Sequence, residues 1–129
     1  MIETWRWFGP TDKVTLSDIR QTGASGVVTS LYHLEPGIVW KKEEISSRLI
    51  EIAGSKSHPT NLSWQVVESL PVSEVIKMGS HPRDEHIKAW IESMENLSEL
   101  GINVICYNFM PILDWTRTEL AAPMSSGAT

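Results

Sequence analysis

Short apolar runs alternate along the chain with longer segments of helical periodicity. Ile45, Leu49 and Ile52 recur at i, i+4 and i+7, which is the spacing of one helix face. Residues 27–31 are nearly continuous in apolar character, as expected of a strand that is covered on both faces. The pattern predicts strands at 4–8, 27–31, 64–70 and 103–110, and helical segments at 15–20, 41–54, 74–77 and 84–100.

Start and stop signals support these elements. Thr15 and Asp18 have the spacing of a capping box and open the first helix. Gly54 and Gly101 end the second helix and the longest helix. Pro111 cannot donate to a sheet ladder, so strand pairing should stop before it. The longest helix is predicted to turn five apolar residues to the core: Ile87, Trp90, Ile91, Met94 and Leu97.

The order of the predicted elements indicates the fold class. Strands that alternate with helices are typical of right-handed βαβ units and a parallel sheet. Two α/β architectures fit this order, an open doubly wound sheet and the first half of a (β/α)8 barrel. A doubly wound nucleotide-binding domain usually carries a glycine-rich turn after its first strand, whereas residues 8–13 contain a single glycine.

Polar residues gather where the predicted strands end. Arg6 lies near the end of the first strand, His33 follows the second, Glu68 is near the end of the third and Asn108 near the end of the fourth. Since parallel strands end at one edge of a sheet, these four side chains are expected at one mouth. A barrel builds its active site in this way.

Composition narrows the possible partners. The 129-residue chain has a net charge of -5 and no basic run, which argues against nucleic acid or an anionic membrane and favours a small ligand. Its apolar runs fall short of the roughly 20 residues that cross a bilayer, and it opens without a leader-like segment. A single cysteine excludes an internal disulfide. We therefore expect a cytoplasmic protein.

Four segments resemble one known family. They are residues 4–9 (TWRWFG), 26–29 (GVVT), 64–69 (WQVVES) and 106–118 (CYNFMPILDWTRT). Together they are similar to the amino-terminal part of D-mannonate dehydratase of the hexuronate pathway, and the likeness runs from residue 1 to about residue 120. Because it covers all four predicted strands, it favours the half-barrel, with residues 1–129 as one amino-terminal half-barrel domain.

The resemblance implies a hydro-lyase of hexuronate catabolism and glucuronate degradation. Such an enzyme is a metal-dependent (β/α)8 barrel that removes water from D-mannonate to give 2-dehydro-3-deoxy-D-gluconate, with Mn2+ or Fe2+ as the ion. The family's metal ligands, two histidines, a cysteine and an aspartate, lie in later strands. We therefore expect no metal ligand in this chain, which looks truncated, and expect its strand ends to bind the substrate.

Two candidate residues carry a charge or a proton. Arg6 could clamp the carboxylate of a sugar acid in a bidentate fork, or it could be a rim arginine paired with Glu3. His33 could bind a substrate hydroxyl or shuttle a proton, which makes it the candidate catalytic group, or it could be a solvated surface residue. The remaining histidines lack ligand-type spacing and are assigned structural roles: His58, His81 and His86.

The third and fourth strands supply the other candidates. Glu68 follows two valines, so its carboxylate should be paired, metal-bound or at the rim. Asn108 offers a donor and an acceptor to a sugar hydroxyl, or it closes the turn after the strand. Cys106 is expected to be a buried packing thiol. A lid or an interdomain ion pair is expected from three residues beyond Pro111: Asp114, Trp115 and Arg117.

Two alternative functions remain open. The chain could be a non-catalytic fragment or a sugar-acid-binding half-barrel that completes its core by association. A four-stranded half-barrel leaves two open edges, so such association could produce a homo-oligomer. It could also belong to a sugar isomerase or epimerase on the same architecture, which would share the metal and the rim but would not release water.

Overall fold

The computed structural model describes residues 1–112, 118–119 and 121–127. Within these residues the chain forms four strands, β1 (Thr4–Arg6), β2 (Gly26–Thr29), β3 (Ser63–Glu68) and β4 (Ile105–Cys106). All neighbouring pairs are parallel, and the strand order is β1-β2-β3-β4. The predicted crossover topology is therefore confirmed. The predicted roles of Asp114, Trp115 and Arg117 concern residues outside the described part of the chain.

Four helices join the strands, and the first of them starts at its predicted capping box. They are α1 (Leu16–Gln21), α2 (Lys42–Ala53), α3 (Glu74–Lys77) and α4 (Arg83–Glu99). At the start of α1 the amide of Asp18 donates to Thr15 Oγ1 at 3.2 Å, while the amide of Thr15 donates to Asp18 Oδ2 at 2.9 Å. This reciprocal capping box satisfies amides that the first turn leaves unpaired, as the sequence predicts.

The core lies between one face of the sheet and the helices. Val27, Trp64 and Val67 line this face and are almost completely buried. The helices contribute four equally buried residues: Ile19, Ile45, Ile52 and Leu97. Burial of each large aliphatic side chain stabilises the fold by roughly 1.5–3 kcal/mol, so this layer supplies most of the driving force for folding.

The opposite face of the sheet is largely uncovered. The strand register aligns Arg6 with Val28, and Val28 with Val66, on this face. Glu68 is aligned with Cys106 on the same face. Arg6 and Cys106 are exposed, and the two valines are half-buried. A (β/α)8 barrel closes around this inward face.

Three expectations are wrong in detail. Cys106 is exposed rather than buried, because its register places it on the uncovered face. β4 has two residues instead of the predicted eight, since among the described residues it lies at an edge of the sheet and pairs with β3 alone. Ile91 is 44% exposed, because it lies about 100° around α4 from Trp90.

The rest of the predicted α4 face is confirmed in its orientation. Leu97 is fully buried, while Trp90 and Met94 are half-buried against the core. None of the described helices is both long and apolar enough to span a membrane.

Candidate functional site

The carboxyl ends of β1 and β3 are joined by an ion pair. Arg6 Nη1 lies 2.6 Å from Glu68 Oε1, across the intervening strand β2. The side chains are 40% and 37% exposed, so solvent screens the pair, which contributes at most about 1 kcal/mol to stability. The prediction that these two residues meet at one rim is confirmed, and the partner of Arg6 is Glu68 rather than Glu3.

Two aromatic residues complete a ring of contacts around this pair. The Arg6 guanidinium carbon lies 4.8 Å from the centre of the Phe8 ring, and that ring is 5.7 Å from the ring of Tyr32. The Tyr32 hydroxyl donates to the carbonyl of Glu68 at 3.3 Å. Sequence patterns did not single out Phe8 or Tyr32. Their position just beyond the ends of two strands is the signal that could have identified them.

A buried arginine on α2 contacts the segments that follow β1 and β2. Arg48 Nη1 donates to the carbonyl of Ser30 at 3.2 Å, and its Nε lies 3.1 Å from Glu51 Oε2. Its guanidinium carbon is 5.3 Å from the centre of the Trp7 ring. The Ser30 hydroxyl in turn donates to the carbonyl of Ser69 at 2.7 Å. Arg48 thus ties α2 to the ends of β1 and β2, and through Ser30 to the end of β3.

The loop after β1 is fixed by a glycine and an aspartate. Gly9 has φ of +92°, and a Cβ at this position would lie 3.0 Å from Arg48 Nη1. The Asp12 carboxylate accepts the amide of Phe8 at 2.7 Å and the amide of Val14 at 3.0 Å. These bonds, chiefly the one from Phe8, lower the pKa of Asp12. The loop therefore holds Phe8 beside Arg6.

His33 lies apart from this cluster in its described contacts. Its Nε2 is 2.9 Å from Glu44 Oε2, in the first turn of α2, and both side chains are about half exposed. This contact links the loop after β2 to a helix rather than to the Arg6–Glu68 pair. The catalytic role proposed for His33 stays a prediction.

Asn108 lies at a separate pocket between the ends of β3 and β4. The pocket has a volume of about 160 Å³. Its wall consists of Pro36, Ser69, Pro71, Val72, Ser73, Glu74, Lys77 and Asn108. Since Ser69 directly follows Glu68, this pocket borders the first cluster. Sequence reasoning identified Asn108 but missed Ser73 and Lys77, whose importance depends on how α3 packs.

One predicted structural histidine has a defined contact near this pocket. His86 Nδ1 lies 2.9 Å from Ser73 Oγ. A Cβ on Gly37 would come within 2.2 Å of the same nitrogen, so only glycine fits against the imidazole. His86 thereby packs α4 against the loops that follow β2 and β3.

The described residues do not suit a metal ion. Among them, no three histidine, cysteine, aspartate or glutamate side chains are grouped closely enough to hold one. At the ends of β1 and β3, the Arg6–Glu68 pair offers a single carboxylate, and that carboxylate already contacts a cation. A divalent ion needs several anionic or neutral donors in a fixed geometry.

Comparison with known proteins gives a consistent result. The D-mannonate dehydratase (UxuA) family model matches residues 1–129. A mannonate dehydratase from Chromohalobacter salexigens is 50% identical over 131 aligned positions, covering 100% of this chain and 32% of that protein. One from Rhizobium meliloti is 48% identical over 128 positions, covering 99% of this chain and 31% of that protein. The chain spans about a third of the length of these relatives.

A solved structure agrees with the sequence relatives. The crystal structure of mannonate dehydratase from Streptococcus suis serotype 2 matches with a TM-score of 0.89 and 38% identity. The match covers 100% of this chain and 36% of that chain. The fold is accordingly that of four consecutive parallel strands of a (β/α)8-type barrel, together with the helices that connect them.

Proposed function

The chain belongs to the D-mannonate dehydratase family, and we propose that it supplies substrate-binding strand ends of a hydro-lyase that converts D-mannonate to 2-dehydro-3-deoxy-D-gluconate and water. The observation that carries this proposal is the Arg6–Glu68 pair, which joins two strand ends at the edge where barrels bind their ligands. The relatives are about three times as long, so the complete reaction is proposed for a longer assembly that includes this chain.

The reaction explains why an arginine is useful at this position. The proton on C2, next to the carboxylate, is only weakly acidic, and negative charge builds on the carboxylate oxygens as it leaves. A preorganised cation stabilises that charge. We assign the carboxylate contact to Arg6, which offers a planar fork of donors. Glu68 and the Phe8 ring hold the guanidinium in place.

The hydroxyl on C3 must leave as water, so a proton donor is needed near it. His33 is the candidate in this chain, and its contact with Glu44 at 2.9 Å holds the imidazole in place. Asn108 is proposed to bind a hydroxyl of the same substrate. Glu68, besides orienting Arg6, is proposed to accept a hydrogen bond from a substrate hydroxyl.

We propose that the ion is Mn2+ or Fe2+, as the family resemblance implies, and that its ligands lie outside the described residues. The ion would stabilise negative charge on the substrate. The described side chains do not form a fitting site for it. The cytoplasmic location likewise stays a prediction, which rests on the single cysteine and on apolar runs too short to cross a bilayer.

Turnover measured with a completed barrel tests the proposal. The chain would be joined to the carboxy-terminal remainder of the Chromohalobacter salexigens relative, and D-mannonate with Mn2+ would be assayed for a keto-deoxy acid. We expect turnover from the joined protein, a large loss with Arg6→Met, and none from the 129-residue chain alone. If the remainder is active with its own amino-terminal part but inactive with this chain, the proposal is wrong.

A non-catalytic half-barrel that binds a sugar acid is the second candidate. The uncovered sheet face favours this candidate, because Cys106 is exposed on that face and Val104, just before β4, is exposed as well. Association of two copies would cover such a surface, so a dimer mass in size-exclusion chromatography together with sugar-acid binding would support this reading. Turnover by the isolated chain would contradict it. Detection of an isomerised or epimerised product, without a keto-deoxy acid, would instead indicate an isomerase or epimerase.

A further inference from the structure

A buried guanidinium holds the segment that follows β1. The Arg48 guanidinium carbon lies 5.3 Å from the centre of the Trp7 ring, and Trp7 is 3% exposed. The same guanidinium lies so close to Gly9 that a Cβ there would be 3.0 Å from Nη1 and 3.5 Å from Nη2. Trp7 and Gly9 are therefore both packed against Arg48, which belongs to α2.

Phe8 lies between these two packed residues and points the other way. Side chains alternate along extended backbone, and the Trp7 amide still donates to the carbonyl of Val28 at 2.9 Å, as a strand residue would. Trp7 consequently turns to the helices, while Arg6 and Phe8 turn to the uncovered face, where both are exposed. Because the Phe8 ring lies 4.8 Å from the Arg6 guanidinium carbon, holding Trp7 in place also orients these two side chains.

A second contact of Arg48 leads to the end of β3. Its Nη1 donates to the carbonyl of Ser30 at 3.2 Å, and the Ser30 hydroxyl donates to the carbonyl of Ser69 at 2.7 Å. Ser30 is 4% exposed, so water competes little for these two bonds. Ser69 directly follows Glu68, the partner of Arg6 in the ion pair. One buried side chain thus holds the residues next to both members of the Arg6–Glu68 pair.

The contacts of Arg48 show that it acts through its shape. The side chain is 7% exposed, and its Nε lies 3.1 Å from Glu51 Oε2, so its charge is already paired. In the contacts that the described residues make, it touches neither Arg6 nor Glu68. A guanidinium is a planar group that can lie against a ring and donate from its edge at the same time, which an ammonium cannot do.

We propose that Arg48 is a positioning residue for the Arg6–Glu68 pair: it holds the residues that follow β1 and β3, so that the exposed guanidinium of Arg6 meets a ligand in one fixed orientation. The pair itself is weak, since solvent screens it. A buried framework is therefore needed to keep one geometry, and a preorganised cation binds an anion better than a mobile one. The effect on D-mannonate rests on the proposed function, whereas the positioning can be measured without substrate.

NMR of the isotope-labelled 129-residue chain without substrate is the first test. The δ-methylene of Arg6 should give a nuclear Overhauser effect to the ring protons of Phe8, because the guanidinium lies against that ring. In Arg48→Met this signal should lose most of its intensity, while the amide resonances around the buried Leu97 of α4 stay in place and show that the fold is retained. A folded Arg48→Met variant with the Arg6–Phe8 signal unchanged would overturn the inference.

Two further variants separate positioning from general stability. Arg48→Lys keeps the charge but cannot lie against Trp7 and reach Ser30 together, so it should fold and still lose part of the Arg6–Phe8 signal. Ile52→Val is the matched control on the same helix, because Ile52 is buried near Leu62, before the start of β3. It should leave the signal unchanged. If Arg48→Met does not fold, Arg48→Lys decides, and a full signal in that variant would overturn the inference.

Titration with D-mannonate measures the consequence for binding. Arg48→Met should weaken the affinity about three- to tenfold, the loss expected when only about a tenth to a third of the molecules hold Arg6 in the binding orientation. Arg6→Met should then weaken binding by a smaller factor in the Arg48→Met background than in the unmodified chain. Factors that simply multiply would overturn the inference.

The two proposals can fail separately. If the Arg6–Phe8 signal depends on Arg48 but Arg6→Met does not change the affinity for D-mannonate, the carboxylate contact assigned to Arg6 is wrong and the positioning stands. If Arg6→Met weakens binding while Arg48→Met changes neither the signal nor the affinity, the proposed function stands and the positioning role is wrong.

Discussion

The two faces of the sheet contain neighbouring residues with opposite surroundings. Val67 is fully buried against the helices, whereas Val66 and Glu68 on either side of it turn to the uncovered face and are half-buried. The helix-covered face is apolar and close-packed. The other face carries the Arg6–Glu68 pair and an exposed cysteine. Stability and candidate chemistry are thus separated by the alternation of side chains along the strands.

The sharpest test of this separation compares two isoleucines on α2. Ile45 is fully buried, and Ile50 is 69% exposed. Ile45→Ala should lower the free energy of unfolding by about 2–5 kcal/mol, because it leaves a cavity in the core. Ile50→Ala should change it by no more than about 0.5 kcal/mol. Urea unfolding followed by tryptophan fluorescence measures both, and equal effects would show that α2 packs differently.

The next largest effect is expected at Arg48, which lies between the core and the rim. Arg48→Met should lower the free energy of unfolding by about 1–3 kcal/mol, since it leaves the Ser30 carbonyl and the Glu51 carboxylate without their partner. Arg48→Lys should recover only part of this, because a lysine cannot make both contacts in one plane. Arg20→Met, at an exposed arginine of α1, is the control. A full recovery by lysine would contradict the bridging role.

Arg6 should behave in the opposite way from the core residues. Arg6→Met is expected to change the free energy of unfolding by less than about 1 kcal/mol, since the ion pair is exposed. It should weaken D-mannonate binding about ten- to a hundredfold, as the loss of a charged hydrogen-bonding partner does. Chemical unfolding and titration of the same sample separate the two quantities. If Arg6→Met were strongly destabilised but bound D-mannonate with unchanged affinity, Arg6 would have a structural role and the uncovered face would not be the binding face.

The smallest effect is expected from lowering the pH, at the contact between Glu74 of α3 and the Ile112 amide beyond β4. The hydrogen bond from Lys77, followed by that from the Ile112 amide, lowers the pKa of Glu74. A lowered folded-state pKa means that the interaction is fully present above the ordinary glutamate value of about 4.3 and is lost as pH falls through the folded-state value. The Ile112 amide resonance should therefore shift below that range. Glu74→Gln should abolish the shift, and its persistence would assign the titration to another group.

Local signals along the sequence were sufficient for most elements of the fold. The heptad-like spacing around Ile45 and the capping box at Thr15 and Asp18 predicted α2 and the start of α1. Polar residues at successive strand ends predicted that Arg6 and Glu68 would meet. β4 was predicted too long, because its length depends on pairing partners rather than on β-propensity alone.

The candidate site was predicted only in part. Arg48 looks like an ordinary polar helix residue in the sequence, and Lys77 like a surface lysine of a short helix. Both side chains are buried in the folded protein: Arg48 contacts Ser30 and Trp7, which are distant in the sequence, and Lys77 pairs with Glu74. Cys106 gave the opposite error, since its apolar neighbours indicate burial while the sheet register turns it to the uncovered face.

The sequence by itself determined the strand and helix alternation, the parallel crossovers and the edge at which polar residues gather, because these depend on local periodicity and on the handedness of the chain. Only the tertiary structure decided which charges pair, which polar side chains are buried and which face of the sheet stays open. Those outcomes depend on register and on contacts between residues such as Arg48 and Ser30, which no local pattern encodes.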